Sequence, residues 1–492
     1  MKIKLRPLLL FTFIGTLLFI SMPRWLYSGD PIAIRASSAS LIKNGHLGIP
    51  FRDSSAIEKF FAEEGSYFIK NKRNLRYYPK WGPAGPLLYT LPLTIEKLLG
   101  GEIEYLQSNH RFVGLLNLFN LFIAIILALY LYLLLGLFSN HFWIKAITII
   151  STFFATFLWH YLRAQSLEIF QCLFFSSYAF HFLSYAKAQE DRPKNIHLLC
   201  TSFSLIILLL IKNYFLLLLP LVLLSFIYLQ KNLKENLTEV LPSFIKYFVL
   251  PCSVGIGIFV WTNSFRLGAW TATGYETNAH VYANFSGNIL HGWWGYLAAP
   301  RYSIFLYFPV LLFGLLGCRK FFSCFTFAGY FLTFHLLFFL TLFSSLQNWA
   351  GEWAYGPRLI LFCVVPLSVF FCAFMEELAH YRHVALKKAL FIIVALLLIV
   401  SCVVQERVNR LPFFVSYLLE QSFARNTDNI NIEAYFQETP VPLIASGLYA
   451  FGQQGELFYP LRELDGKEDP KNIKTILQEI RPLVRKNYYW FR

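Results

Sequence analysis

The stretch from Pro23 to Pro50, PRWLYSGDPIAIRASSASLIKNGHLGIP, sets the terms on which the rest of the chain is read. It follows directly on the run MKIKLRPLLLFTFIGTLLFISM, whose basic start and missing small-residue cleavage pattern mark an uncleaved signal-anchor. Ser28-Gly29-Asp30-Pro31 then puts a carboxylate where such a helix reaches the far side of a membrane. Beyond it, Ile32, Ile34, Leu41 and Ile42 interleave with Arg35, Ser37, Ser38, Ser40 and Lys43. That pattern predicts a short helix in the interface plane with its polar groups in water. Asp30 is therefore expected at the membrane surface, between a transmembrane and an interfacial helix. On its own, a Gly-Asp-Pro turn is ordinary punctuation and its Asp a helix cap, so a functional role requires partners from other loops.

Composition agrees with a membrane setting. Of 492 residues, 56% are hydrophobic and only 14% charged, against roughly 25% charged in a soluble domain. The chain reads as an all-α polytopic membrane protein, and its 18% aromatic content suits lipid-facing helices with interfacial belts. A formal charge of +15 is assigned to positive-inside bias and anionic lipid rather than to nucleic acid. The eight Cys lie in or beside apolar segments without a C-x-x-C pair, which excludes a disulfide framework and a zinc site at this level.

Apolar runs place spans near 7–27, 112–138, 142–160, 166–186, 196–211, 213–229, 245–262, 303–317, 322–346, 359–376 and 387–404, about eleven in all at roughly 20 residues per crossing. If they alternate, Lys2, Lys4 and Arg6; Lys187, Arg192 and Lys194; Lys231, Lys234 and Lys246; Arg319 and Lys320; and Arg382, Lys387 and Lys388 share one side, the cytoplasm. Loops 28–111 and 263–302 and the tail are then extracytoplasmic. The expected division is a transmembrane unit over 1–404 and a C-terminal extracytoplasmic region over 405–492. In the first loop, SSAIEKFFAEEG and LPLTIEKLLGGEIEYL read as amphipathic helices. Tyr77 to Pro86, rich in aromatics, Gly and Pro, reads as irregular between them.

Ionisable residues are costly near membrane helices, so their depth is informative. Arg163 and Glu168 start the fourth span, Lys212 sits in the turn between the fifth and sixth, Arg301 precedes the eighth, and Glu352 and Arg358 precede the tenth. All fall at the level of Asp30. The midplane holds little charge, and His335 there reads as hydrogen-bonded packing. One carboxylate among several cations at a membrane surface suits transfer of a group from a phosphate-linked lipid: cations neutralise the phosphate and the carboxylate takes a proton from the incoming hydroxyl. Each cation alone is also explained by snorkelling to head groups, Lys212 least so. In NWAGEWAYGPR, Trp349, Glu352, Trp353 and Tyr355 offer a sugar ring apolar faces and hydrogen bonds, although the aromatics equally suit an interfacial belt.

Five pieces taken together resemble the GT-C superfamily of integral-membrane glycosyltransferases, specifically bacterial relatives of polyprenyl- or dolichyl-phosphate-mannose mannosyltransferases and the lipid A aminoarabinose transferase. They are Gly29-Asp30; the Ser-rich stretch to Gly48-Ile49-Pro50; Tyr78-Pro79-Lys80-Trp81-Gly82; Ala299-Pro300-Arg301-Tyr302-Ser303 running into Tyr307-Phe308-Pro309; and Trp349 to Arg358. The resemblance implies a GT-C-like bundle and inverting transfer from a polyprenyl-phosphate sugar to a hydroxyl of a glycan, lipid or protein on the extracytoplasmic face. It implies Asp30 as base or acceptor-orienting group, and Lys80, Arg163, Lys212 and Arg358 as phosphate contacts. Many relatives carry an acidic pair in the first loop, whereas here Pro31 follows Asp30. A second carboxylate or a metal site would draw on Glu352, Glu63 or Glu64; no cofactor is required by the sequence, and a divalent metal is compatible with it.

Competing classes are a polysaccharide polymerase or ligase, which would not require Asp30; a lipid-linked sugar flippase, which calls for a polar path through the helices; and a non-catalytic subunit, whose loop charges are singly replaceable. The expected location is a bacterial inner membrane, with the active site facing the periplasm or exterior. Sugar and acceptor are not readable from these residues.

Overall fold

The computed structural model describes residues 5–23, 30–53, 67–105, 110–233, 237–272, 274, 285–299, 302–347, 349 and 356–410. Helix α1 (Leu5–Ile20) leads into α2 (Asp30–Asn44), the strands β1 (Ile49–Pro50), β2 (Phe68–Asn71) and β3 (Arg76–Pro79), and α3 (Ala84–Leu98). Then come α4 (His110–Gly136), α5 (Phe142–Phe154), α6 (Leu158–Arg163), α7 (Glu168–Lys187), α8 (Asp191–Ile211) and α9 (Leu218–Leu233). The second half holds α10 (Leu237–Phe244), α11 (Leu250–Leu267), α12 (Ile289–Ala298), α13 (Ile304–Tyr307), α14 (Gly314–Cys324), α15 (Thr326–Ser344), α16 (Val364–Ala379) and α17 (Val384–Arg410).

Seven helical stretches among the described residues are long and apolar enough to cross a membrane, joined by the shorter apolar α1 and α5. The chain is an integral membrane protein. Its centre is the segment Arg358–Ala379, 83% buried along its apolar window, whereas Val384–Glu406 is 17% buried and lies at the periphery. Lipid is as apolar as these side chains, so packing and interhelical hydrogen bonds hold the bundle. Thr152 and Ser368 hydroxyls lie 2.6 Å apart, and those of Ser177 and Ser204 2.9 Å apart. His335 donates from Nδ1 to Phe331 O at 2.7 Å, which leaves Nε2 to accept from the Tyr178 hydroxyl at 2.7 Å; it is satisfied packing.

Several predicted spans are interrupted. The third breaks after Phe154 and resumes as α6. The sixth begins with a 3-10 turn, Asn213–Leu217, and the tenth with another, Arg358–Cys363. A π-helical turn, Ile245–Val249, joins α10 to α11 between Pro242 and Pro251, residues whose missing N–H loosens the helical ladder. The eighth span is assembled from α13, a 3-10 turn at Leu311–Phe313 and α14.

The first loop departs most from expectation. Three strands form an antiparallel sheet in the order β1-β3-β2, with Ile49 opposite Tyr77 and Ile69 opposite Tyr78. Helix α3 opens at Ala84, inside the stretch read as irregular, because a Pro such as Pro86 is tolerated in a first turn. Helix α2 is not an interfacial helix with its polar groups in water: Arg35, Ser37, Ser38 and Ser40 are all buried. The serines find carbonyls instead of solvent, Ser37 donating to Leu47 O at 2.6 Å, Ser40 to Gly48 O at 2.7 Å, and Ser38 lying 2.7 Å from Pro86 O. The segment SSAIEKFFAEEG and residues 411–492 lie outside the described residues; the helix α17 continues to Arg410.

The helices alternate so that one end gathers Pro23, Gly82, Ala164, Ile211, Arg266 and Arg358. Asn117 Nδ2 donates to Pro23 O at 2.7 Å, Asn120 Nδ2 to Ala164 O at 2.9 Å, and Gly82 N to Ile211 O at 3.2 Å. At the other end, His141 meets Glu376 at 3.0 Å and Lys187 donates to Leu137 O.

Candidate active site

Glu168, Lys212 and Arg358 meet at the first-loop end of the bundle. Glu168 is the first residue of α7 and only 3% exposed at its side chain; Oε1 accepts from Arg358 Nε at 2.8 Å and lies 3.7 Å from Lys212 Nζ. Local structure supports each member. An acid at a helix N-terminus and a cation just past a helix C-terminus both complement the helix dipole. Lys212 follows α8 with extended backbone, φ −146° and ψ 130°, so the chain turns between two helical segments and its Nζ faces the protein rather than lipid. Arg358 follows a left-handed Gly356, φ +66°. A side chain at Gly356 would meet Tyr307 at 2.8 Å and Phe157 at 2.9 Å, so Gly is the residue that permits this approach.

Lys80 joins from the first loop. With Lys212, Asn213, Asn263 and Arg266 it lines one narrow cleft. Arg266 Nη2 donates to Pro79 O at 2.5 Å and also to Trp81 O, and Asn71 Nδ2 donates to Arg266 O at 3.1 Å. These bonds clamp the sheet to the end of α11. A Cβ on Gly82 would fall 1.9 Å from Leu210 O, so only Gly lets the Lys80 turn seat beside Lys212.

Around the charges lies a polar layer. Tyr214 donates to Gln171 Oε1 at 2.8 Å, while Gln171 Nε2, one turn from Glu168, is buried without a hydrogen-bond partner among the described residues. The Tyr89 hydroxyl, between Asn120 Oδ1 at 3.3 Å and Ser166 O at 3.5 Å, feels both Arg35 and Glu168. Burial draws the Arg35 guanidinium down to about 10, with Tyr89 acting against that shift. Burial likewise raises the Tyr89 phenol, opposed by Arg35 and reinforced by Glu168.

The other predicted residues divide. Arg163 lies apart from the Glu168 cluster in its described bonds: Nε donates to Ser21 O and Nη1 to Asn409 O at 2.7 Å, tying α6 to α1 and α17. Trp349 is 3% exposed and enclosed by the edges of His291, Tyr296 and Tyr302, with the Tyr296 hydroxyl donating to its carbonyl at 2.5 Å. Asp30 is the first residue of α2. Glu352, Trp353, Tyr355, Glu63, Glu64 and Arg301 lie outside the described residues. Among the described residues no group of three or more His, Cys, Asp or Glu is arranged to hold a metal ion.

Glu168 has the central place, and the sequence gives it only a depth, not a role. The usable signal was an acid opening an apolar helix; its partner Arg358 is 190 residues away. Meanwhile the motif pieces converge. Gly48 packs on the Tyr78 ring, Lys80-Trp81-Gly82 on the Lys212 turn, and Tyr307 on Gly356.

Comparison with known proteins places this geometry in a known fold. The chain superposes on ArnT from Cupriavidus metallidurans in its apo state with a TM-score of 0.52 at 12% identity, over 90% of this chain and 76% of that one. It superposes equally, TM-score 0.52 and 12% identity, on the archaeal oligosaccharyltransferase AglB from Archaeoglobus fulgidus in complex with an inhibitory peptide and a dolichol-phosphate. That match covers 89% of this chain and 60% of AglB, so the chain spans less than two thirds of that relative. A second AglB structure, tethered to an acceptor peptide, gives 0.50 at 11% identity, over 88% of this chain and 59% of that one. No family model and no curated sequence matches. The chain has the GT-C fold.

Proposed function

We propose that this protein is a glycosyltransferase that moves a sugar from a polyprenyl-phosphate donor to a hydroxyl acceptor at the extracytoplasmic face of a bacterial inner membrane. The observation that carries the reading is the buried carboxylate of Glu168 spanned by Lys212 and Arg358, a trio with net positive charge at one end of an apolar bundle. Cations held in place at one end of an apolar bundle are the groups that neutralise a departing phosphate. A lipid phosphate is the anion that an apolar bundle can deliver there, and dolichol-phosphate is the lipid in the AglB complex of the same fold.

In this reading the acceptor oxygen attacks the anomeric carbon from the face opposite the phosphate. The bond from carbon to phosphate oxygen breaks, its electron pair leaves with the lipid phosphate, and the configuration inverts. Asp30 takes the hydroxyl proton as the bond forms. Arg358, Lys212 and Lys80 neutralise the leaving phosphate, so it departs without needing a proton. Glu352, Trp353 and Tyr355, in the segment between Trp349 and Arg358, are assigned to the sugar and acceptor, and Arg163 is assigned to bracing the site. The cationic set meets the phosphate charge without a cofactor, and transfer that persists in excess chelator is the check on that point.

The test compares surface glycans and polyprenyl-phosphate sugars by mass spectrometry in cells with the wild-type chain, without it, or with Asp30→Asn. Loss of one glycan sugar in the null and in the variant, with its lipid-linked donor accumulating, is the expected result. A defect in the null alone would remove Asp30 from the mechanism.

A further inference from the structure

Lys212 and Arg358 approach the same oxygen of Glu168, and that carboxylate is only 3% exposed at its side chain. A site built only to hold phosphate would do better without it, because the carboxylate repels the ligand it sits beside. Its charge must therefore be useful at some other point of the cycle.

The two lipids that this site meets differ in charge. A polyprenyl-phosphate sugar is a phosphodiester with one negative charge, whereas the departing lipid is a phosphomonoester of about −1.5 to −2 at neutral pH, its second ionisation falling near pH 6. Resting on the phosphate-site reading above, we propose that Glu168 lowers the preference of the cationic site for the more highly charged lipid monophosphate over the monoanionic donor and so eases product release. Glu168 is a positioning residue in this role. It holds Lys212 and Arg358 in place from below and acts on the lipid through them and through its own field.

The geometry supplies an order of events. Arg358 is the outer member of the trio, 24% exposed at its side chain, against 6% for Lys212 and 3% for Glu168. Phosphate therefore enters on the Arg358 side with Glu168 behind the cations, close enough in a desolvated site for its repulsion to be felt. That repulsion scales with ligand charge, so it weakens the product more than the donor. Attraction by the cations scales in the same way and is larger, so Glu168 limits how much more tightly the doubly charged product is held.

The experiment measures binding of two probes to the full-length protein in detergent: a polyprenyl monophosphate, and the same lipid as its methyl phosphodiester, with the uncharged polyprenol as control. Glu168→Gln is expected to raise the monoester-to-diester affinity ratio about tenfold, the size of a modest charge interaction at an effective dielectric constant near 20. As pH rises through 6, affinity for the monoester should gain on that for the diester less steeply in the wild type than in Glu168→Gln, because only the wild type sets a carboxylate against the second charge. Glu168→Asp, which keeps the charge, should retain the wild-type ratio. If Glu168→Gln folds poorly, the same ratio is read from thermal stabilisation by each lipid, since a ligand that binds only the folded state raises its midpoint by mass action. Equal losses of both affinities, with the ratio unchanged, would reduce Glu168 to a structural support and overturn the inference. A wild-type protein that binds the polyprenol as well as either phosphate would instead overturn the phosphate site itself.

Discussion

The two ends of the bundle carry charge in opposite ways. At the first-loop end Glu168, Lys212, Arg163, Arg266 and Arg35 are buried; Arg358 reaches Glu168 from another element, Arg163 reaches Ser21 and Asn409, and Arg266 reaches Pro79 and Trp81. At the other end the pairing of His141 with Glu376 is 59% and 20% exposed at its side chains, and Arg382, Lys387 and Lys388 are open to solvent or only partly covered. Cations alone do not distinguish the ends. Nor does burial of a single cation, since Lys145 is buried at the other end; a carboxylate withdrawn from water together with two cations does, because a membrane protein can leave a lysine in the head groups at little cost, whereas such a trio needs a reason.

The largest effect should come from the acid that starts α2. Asp30→Asn should lower transfer at least about 100-fold if it removes the general base, with the thermal midpoint near wild type. A variant that keeps wild-type turnover would leave the buried trio without its proposed chemical partner. Next is Arg358→Gln, which leaves Glu168 paired with Lys212 only. Transfer should fall roughly 100-fold, the scale of deleting one preorganised donor to a developing charge, and most of the loss should appear as weaker use of donor at low concentration. If donor titrations superimpose on wild type, Arg358 is an architectural pair to Glu168 and the two ends differ in packing alone.

Gly356→Ala is a gentler probe of the same end, because it alters no charge. Holding Ala in a left-handed conformation costs about 1–2 kcal/mol, and the new Cβ presses on Tyr307 and Phe157. If that displacement reaches Arg358, transfer should drop about tenfold, the equivalent of roughly 1.4 kcal/mol. A stability loss with unchanged transfer would show that Arg358 is held from elsewhere.

How much of this was legible beforehand follows from what each feature depends on. The helical membrane character was, since a run of apolar residues announces itself, and seven of the stretches read as spans are long and apolar enough to cross a membrane among the described residues. The interruptions were not. Phe154 to Leu158 is as apolar as its flanks, and the break is set by tertiary packing. The sheet was hidden by brevity, β1 having two residues and β2 and β3 four each. Helix α2 misled because serine in a membrane protein can face water or a backbone carbonyl, and Ser37 and Ser40 chose Leu47 and Gly48. As for the site, Lys212 stood out by its turn, but Arg163 and Arg358 look alike in sequence. Only the fold separates an arginine that ties α6 to α17 from one that meets Glu168.

The smallest expected effect lies at the opposite end, and it is the control on which the contrast rests. Glu376 accepts from the Ser139 hydroxyl and from His141 in a cleft that also holds His380 and Lys320. By inventory this resembles the first-loop end, with an acid among potential cations beside aromatic residues. Its members are partly solvated, however, so Glu376→Gln should cost no more than about 1 kcal/mol, as exposed pairs do, and should leave transfer and the affinity for polyprenyl monophosphate unchanged. A large fall in either would mean that a charge cluster open to water at the far end is coupled to the site across the bundle. Burial would then no longer serve to tell a functional cluster from a decorative one in this protein.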